Sequence, residues 1–284
     1  MKNKTILITG ASSGLGLQAA KELSGQGHEI ILLCRNHEKG NAAVSDIQSF
    51  SGNNKIHLYT ADLSVHASVA EVAGKIKKDF TKLDVLLNNA GAVFDEFKLS
   101  ADGLEMTIAN NHFNYFWLTH YLLDLLKNAG NARIVNVASD SHYKAKNIDI
   151  ESFTQKKKYF VLSAYEQSKL ANVLFTYSLA EKLQPFGITV NALHPGFVYT
   201  PIGSKNGNAF FGMVWNTASK LFGKKVEDGA QSHIYLAGSE EVNGITGKYF
   251  HNCKAKPSSA ISYDQRLQDL LWKESERISG FPFL

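Results

Sequence analysis

Thr5-Ile6-Leu7-Ile8-Thr9 runs straight into Gly10-Ala11-Ser12-Ser13-Gly14-Leu15-Gly16. A short apolar run without polar alternation reads as a strand buried on both faces. A helical pattern follows at once (Leu15, Ala19, Ala20, Leu23) and stops at Gly25 and Gly27. Strand, glycine turn and helix in immediate succession is the setting a phosphate cradle requires. Gly10 permits a tight turn, and Gly14 and Gly16 let backbone N–H groups approach a pyrophosphate at the helix N-terminus. The spacing is G-x3-G-x-G, not the commoner G-x-G-x-x-G. A glycine-rich turn alone is as often only a turn; the flanking strand and helix favour the phosphate reading.

The same alternation fills the chain. Strands are expected at Glu29–Leu33, Ile56–Thr60, Leu83–Leu87, Ala132–Val137 and Ile188–Leu193. Helices are expected over 65–80, 101–128, a segment from Ser163 to about 185, and 263–279. This predicts right-handed βαβ units and one Rossmann-type α/β domain over 1–284, a doubly wound parallel sheet with helices on both faces. In such sheets ligands bind beyond the carboxyl ends of the strands. The unusual polar residues all fall there: the glycine loop, Arg35, Asp62, Asn89, Ser139 and Pro195-Gly196. After the second strand an Asp or Glu would favour NAD. Cys34-Arg35-Asn36 stands there instead, and the Arg35 guanidinium suits a 2′-phosphate, so NADP is favoured over a merely solvated Arg.

Tyr165 and Lys169 lie four apart near the start of an expected helix, with Ser163 as its N-cap and Leu170, Val173, Leu174 and Tyr177 as an apolar stripe. Their Cβ atoms should be roughly 5–6 Å apart. A phenol titrates near ~10. A neighbouring ammonium favours the phenolate and would make the pair a proton donor working near neutrality. Such a pair is ordinarily a surface pair; its company at the strand ends argues for chemistry.

Composition excludes little else. Of 284 residues 44% are apolar and 20% charged, and the net charge of +4 is dispersed. Lys156-Lys157-Lys158 is too short a run to indicate nucleic acid. Cys34 and Cys253 are too far apart for a CxxC site, and the ten histidines show no HExxH spacing, so no metal is expected. The longest apolar run, Ile30 to Cys34, is far below a membrane span, and the residues before Gly10 are too few for a signal peptide. A cytoplasmic protein is expected.

Thr9-Gly10-x3-Gly14-x-Gly16, Asn88-Asn89-Ala90-Gly91, Ser139, Tyr165-x3-Lys169 and Pro195-Gly196 with Thr200, in this order, resemble the short-chain dehydrogenase/reductase family along essentially the whole chain. Leu33-Cys34-Arg35, Asn111-His112-Phe113, Ser168 to Phe175 and Gly247-Lys248-Tyr249-Phe250 resemble its retinol dehydrogenase-like branch. The chain departs from that branch at Ala138-Ser139-Asp140, where members tend to have Ser-Ser-Leu, and in lacking an N-terminal anchor.

The resemblance implies Tyr165 as general acid/base and Lys169 as the group that lowers its pKa and holds the nicotinamide ribose. It implies Ser139 (or Ser141) as the residue orienting the carbonyl, and Asn111 (or Asn110) as the holder of a relay water. It implies NADP contacts from Gly10, Ser12, Ser13, Gly14, Leu15 and Gly16 at the phosphates, and from Arg35, Asp62 and Leu63 around the adenosine. Asn89, Ala90, Gly91, Pro195, Gly196, Val198 and Thr200 would complete the nicotinamide side. Residues 197–225, apolar and jointed by Gly203, Gly207 and Gly212, are expected to form a substrate lid, with a core helix or a membrane-docking segment as alternatives. The insert 143–162 would form the other wall.

The function expected is interconversion of a small apolar aldehyde or ketone with its alcohol by a retinol dehydrogenase-like carbonyl reductase. A protochlorophyllide reductase-like enzyme and a non-catalytic nucleotide sensor are the alternatives. Leu170-Ala171 after Lys169 argues against the first and the retention of Tyr165 and Lys169 against the second. A homodimer pairing through helices 101–128 and 163–185 is expected, with the C-terminal helix as the other candidate.

Overall fold

The computed structural model describes residues 3–156, 158–196 and 225–284. Among the described residues eight strands form one sheet: β1 Thr5–Thr9, β2 Glu29–Cys34, β3 Ile56–Thr60, β4 Val85–Asn88, β5 Arg133–Val137, β6 Thr189–Leu193, β7 Lys248–His251 and β8 Lys254–Lys256. Their order is β3-β2-β1-β4-β5-β6-β7-β8. All neighbours pair in parallel except β7 with β8. The chain winds outward from β1 to β3, then restarts on the other side at β4. The switch point therefore lies between β1 and β4, where the glycine turn and Asn89 emerge.

Side-chain alternation along the strands divides the core into two layers. Ile6, Ile8, Ile30, Leu32, Val85, Leu87 and Val135 face one way, against helices α1 (Gly14–Gly25) and α8 (Val226–Gly238). Leu7, Ile31, Leu33, Leu86 and Ile134 face the other way. They meet α3 (His66–Asp79), a helical run of α4 (Met106–Ile108), a π turn (Ala109–Phe113), α5 (Asn114–Tyr121) and α6 (Leu123–Asn128), and then α7 (Val161–Leu183).

The expected parallel sheet stands, with four differences. The 248–256 region adds a hairpin; its two-residue turn, Asn252-Cys253, sits at positive φ (48° and 60°), a primed hairpin geometry. β8 is exposed and carries two lysines, which keep the edge from pairing further. Two helices with weak apolar stripes were not foreseen, α8 and α2 (His37–Ser51), the latter capped by Asn36. The long helix starts at Met106, not 101, and is interrupted by the π turn and at Leu122. α7 begins at Val161, so Ser163 is no N-cap; it lies in the first turn and its Oγ accepts from Gln167 Nε2.

The C-terminal helix α9 (Gln265–Ser279), capped by Asp264, lies on α7 and α5. Trp117 Nε1 donates to Ser279 Oγ at 2.7 Å, His112 Nε2 bonds Ser275 Oγ at 2.8 Å, and the Phe283 ring lies 4.8 Å from Phe116 and 4.9 Å from Trp272. The helix face through which two copies were expected to pair is thus covered by this chain's own C-terminus. Two cations close the lower end of α8: Arg133 donates to the carbonyls of Leu236 and Ala237, and Lys4 to those of Ala237 and Gly238.

Candidate active site

The glycine turn is built against the end of β4. Gly10 has φ +67°, and a Cβ there would meet Ala90 Cα at 3.0 Å. A Cβ on Gly16 would meet Asn89 Nδ2 at 2.6 Å and the Gly10 carbonyl at 2.7 Å. Asn89 Nδ2 donates to the Thr9 carbonyl, while the Asn89 and Ala90 N–H groups donate to Thr9 Oγ1. Asn89 therefore uses its side-chain amine to clamp β1 to β4. Sequence reading assigned it to the cofactor; the structure gives it a scaffold role first. Ser13 precedes α1 without a side-chain cap, and no acidic residue stands in the first turn, so the α1 N-terminus keeps its N–H groups and positive end for a phosphate. At the end of β2, burial pushes the pKa of the Cys34 thiol up, and the thiol donates to the Asn36 carbonyl. Arg35 follows as an exposed residue. After β3, Asp62 accepts from both N–H and Oγ of Ser64, and Leu63 packs into the core.

Asn111 lies in the π turn and is fully buried. Its Oδ1 accepts from Ala92 N at 2.8 Å, and its Nδ2 donates to Ala92 O and Ser168 Oγ, both at 2.9 Å. It joins the loop after β4 to α7. Asn110, the alternative, bonds back to the Met106 carbonyl instead. A π turn re-aims one residue without breaking the helix, and here it aims Asn111. A Cβ on Gly91 would meet Asn111 Oδ1 at 2.9 Å and Lys169 Nζ at 3.4 Å, so bare backbone borders both side chains.

Tyr165 and Lys169 share one face of α7, with Nζ 5.7 Å from the phenol ring centre. Lys169 is 3% exposed and donates to the Val137 carbonyl at 3.1 Å. Burial lowers its pKa to about 7. Burial pushes the Tyr165 phenol up to about 12; the Ser139 hydroxyl pulls the other way, and the Asp140 carboxylate adds to the rise. The expected depression of Tyr165 by Lys169 is not found. Desolvation outweighs the pair's attraction, and Nζ is directed at Val137.

Ser139 caps the 3-10 turn Asp140–Tyr143, accepting from Ser141 N at 3.2 Å. Of the two serines, Ser139 is the one whose hydroxyl acts on the Tyr165 phenol, lowering its pKa. Gly196 follows Pro195 at φ +83°, its N–H donating to His194 Nδ1. Val198, Thr200 and the expected lid up to residue 224 lie outside the described residues. Tyr159 of the 143–162 insert is half-buried, its hydroxyl donating to the Phe94 carbonyl. With Glu105, Phe153 and Gln167 it lines a cleft of about 180 Å³ on a flank of α7 that includes neither Tyr165 nor Ser139.

Sequence reading missed two residues that surround Lys169. Tyr115 OH and Asn172 Nδ2 both donate to the Val137 carbonyl, each at 3.3 Å. The available signal was spacing: Tyr115 is four residues past Asn111, and Asn172 three past Lys169.

The model of the short chain dehydrogenase family matches residues 4–209. Human retinol dehydrogenase 13 is 40% identical over 281 residues, covering 98% of this chain and 85% of the relative; human retinol dehydrogenase 14 is 36% identical, covering 99% and 87%. Among solved structures, an uncharacterised protein from Mycobacterium paratuberculosis superposes with a TM-score of 0.78 at 28% identity, over 99% of this chain and 95% of its own. A short chain dehydrogenase from Shigella flexneri complexed with NADP gives 0.70 at 25% identity, over 89% and 98%. Family, fold and strand-end geometry agree, and the chain belongs to the short chain dehydrogenases as an oxidoreductase that uses a nicotinamide cofactor.

Proposed function

We propose that the protein is an NADP(H)-dependent oxidoreductase that interconverts an apolar aldehyde or ketone with its alcohol, Tyr165 serving as general acid and base. The observation that carries this reading is the placement of half-buried Tyr165 and buried Lys169 on one face of α7, Nζ 5.7 Å from the phenol ring centre, with the Ser139 hydroxyl acting on the phenol. Ser139 holds the carbonyl oxygen, and Tyr165 gives it a proton. A phenol held at about 12 stays protonated at neutral pH, so the proton to be donated is in place. Lys169 supplies N–H groups to the nicotinamide ribose, and Asn111 fixes the backbone on which a relay water is held. The bound cofactor supplies hydride; the chain supplies orientation and electrostatics.

Three observations support the finer points. Arg35, exposed after β2, suits a 2′-phosphate, and the Shigella relative is described with NADP and an Escherichia coli one with NADPH. Leu162 stands one turn before Tyr165 and is 56% exposed, and Phe160, two residues earlier, is also exposed; these apolar groups suit a retinoid-like or other apolar substrate. Cys34 and Cys253 are free thiols, in keeping with a cytoplasmic setting. No observation favours the protochlorophyllide or sensor readings. A panel of aldehydes and ketones with NADPH tests the proposal: turnover is expected, and none across the panel overturns it. NADPH should bind tighter than NADH, and Arg35→Ala should erase the difference; equal affinities in the parent protein would remove the NADP assignment.

A further inference from the structure

His142 is fully buried on the 3-10 turn that follows Ser139, and both ring nitrogens are engaged. Nδ1 bonds the carbonyl oxygen of Ser139 at 2.6 Å, and Nε2 lies 3.0 Å from the N–H of Ser259. A carbonyl can only accept and an N–H can only donate. The imidazole is therefore neutral, with its proton on Nδ1, and has no capacity left over. Ser259 is distant in sequence and sits in a segment held from several sides. Tyr143 donates to the Pro257 carbonyl, Tyr177 and Ser258 share a hydrogen bond at 2.6 Å, and so do Ser258 and Ser262. The His142 ring lies 4.7 Å from that of Tyr249 on β7. One side chain thus links the backbone of the serine beside Tyr165 to the anchored segment 257–263.

We infer that His142 is a positioning residue for the reaction: it fixes the peptide of Ser139 from one nitrogen, is itself fixed at Ser259 by the other, and so sets where the Ser139 hydroxyl meets the substrate oxygen. This rests on the reading of Ser139 given above. A histidine that merely filled space would not need both bonds, and one of them would not end on Ser139 itself. Small displacements of an orienting group carry large rate penalties, up to about 100-fold for about 1 Å.

The test is a cycle of four proteins: parent, Ser139→Ala, His142→Phe and the double variant, each measured for kcat, KM and NADPH affinity. His142→Phe keeps a ring but loses both bonds. Its kcat is expected to fall about 10- to 100-fold with NADPH affinity unchanged within about twofold. The double variant should be no slower than Ser139→Ala alone, because His142 acts only through Ser139. His142→Asn retains a donor for the Ser139 carbonyl and should recover most of the lost kcat, and it serves as the working variant should His142→Phe not fold. Additive losses in the double variant, or equal loss of kcat and cofactor binding in both His142 variants, would make His142 a packing residue and overturn the inference. Parent-like kcat in both His142 variants would overturn it too. Parent-like kcat in Ser139→Ala would instead remove the Ser139 reading, and the inference with it.

Discussion

The backbone carbonyl of Val137 accepts from Lys169 Nζ at 3.1 Å, and it is the last residue of β5. The bond pins α7 to the strand that leads into Ser139, with Asn172 and Tyr115 donating to the same oxygen. Lys169 is therefore a strut between helix and sheet as well as a cation beside Tyr165. The same burial that fixes it weakens its charge: its pKa falls to about 7 while that of Tyr165 rises to about 12.

Tyr165→Phe removes only the hydroxyl, so the ring still packs. Turnover is expected to fall about 10²- to 10⁴-fold, the usual range for a positioned acid or base, with NADPH affinity nearly unchanged. In the parent, alcohol oxidation should keep rising into alkaline solution, because the phenol must first lose a proton it holds up to about 12. Stopped-flow rates in both directions across pH 6–10 check this; an oxidation rate already flat at neutral pH contradicts the protonated phenol.

Lys169 gives stability a pH dependence whose sign can be worked out. Its pKa is lowered from 10.5 to about 7 on folding. Between those values the unfolded chain binds the proton and the folded chain does not, so this group's contribution rises with pH across that window and is lost below about 7. Lys169→Met abolishes the contribution. Urea midpoints at pH 7 and pH 9.5 should therefore separate more in the parent than in the variant; equal differences would mean that Lys169 is not desolvated in the folded chain.

Gly16→Ala places a methyl group 2.6 Å from Asn89 Nδ2 and 2.7 Å from the Gly10 carbonyl. The Asn89 end can shift only by giving up its bond to Thr9, and the backbone carbonyl has little room to move. Overpacking of this kind costs about 1–3 kcal/mol. A lower denaturation midpoint is expected together with weakened NADPH binding, since the clamp shapes the phosphate turn. Loss of binding with unchanged stability would point to contact with the cofactor in place of clamp strain.

What the sequence made legible follows from local grammar. β1, β2, β4, β5 and β6 were readable because buried parallel strands are short apolar runs closed by polar turns. The site residues were readable because they stand at those strand ends. Three things were not. The β7–β8 hairpin pairs only through tertiary contact, and β8 is exposed with no apolar signal. The roles of Asn89 and Asn111 depend on partners at Thr9 and Ser168, far away in sequence. The direction of the Tyr165 shift depends on burial, which i, i+4 spacing does not report.

The C-terminal segment 264–284 should control the association of this chain. α9 buries Leu267, Leu271 and Trp272, and Phe283 follows at 1% exposure, all against α5 and α7. Its outer face shows Gln265, Arg266, Asp269, Lys273 and Arg277 to solvent, with Leu270 the one large apolar residue there. Pairing of two copies through α5 and α7 would require this segment to leave, and removing a buried Trp or Phe from such a cluster costs about 3–5 kcal/mol apiece. The full chain is therefore expected to run as a monomer by light scattering at micromolar concentration. A chain ending at Tyr263 would leave Phe116, Trp117 and Phe175 facing solvent and is expected to self-associate. A dimeric full chain that stays dimeric after Trp272→Ala and Phe283→Ala would place its interface elsewhere; one that comes apart would place the interface on α9 itself.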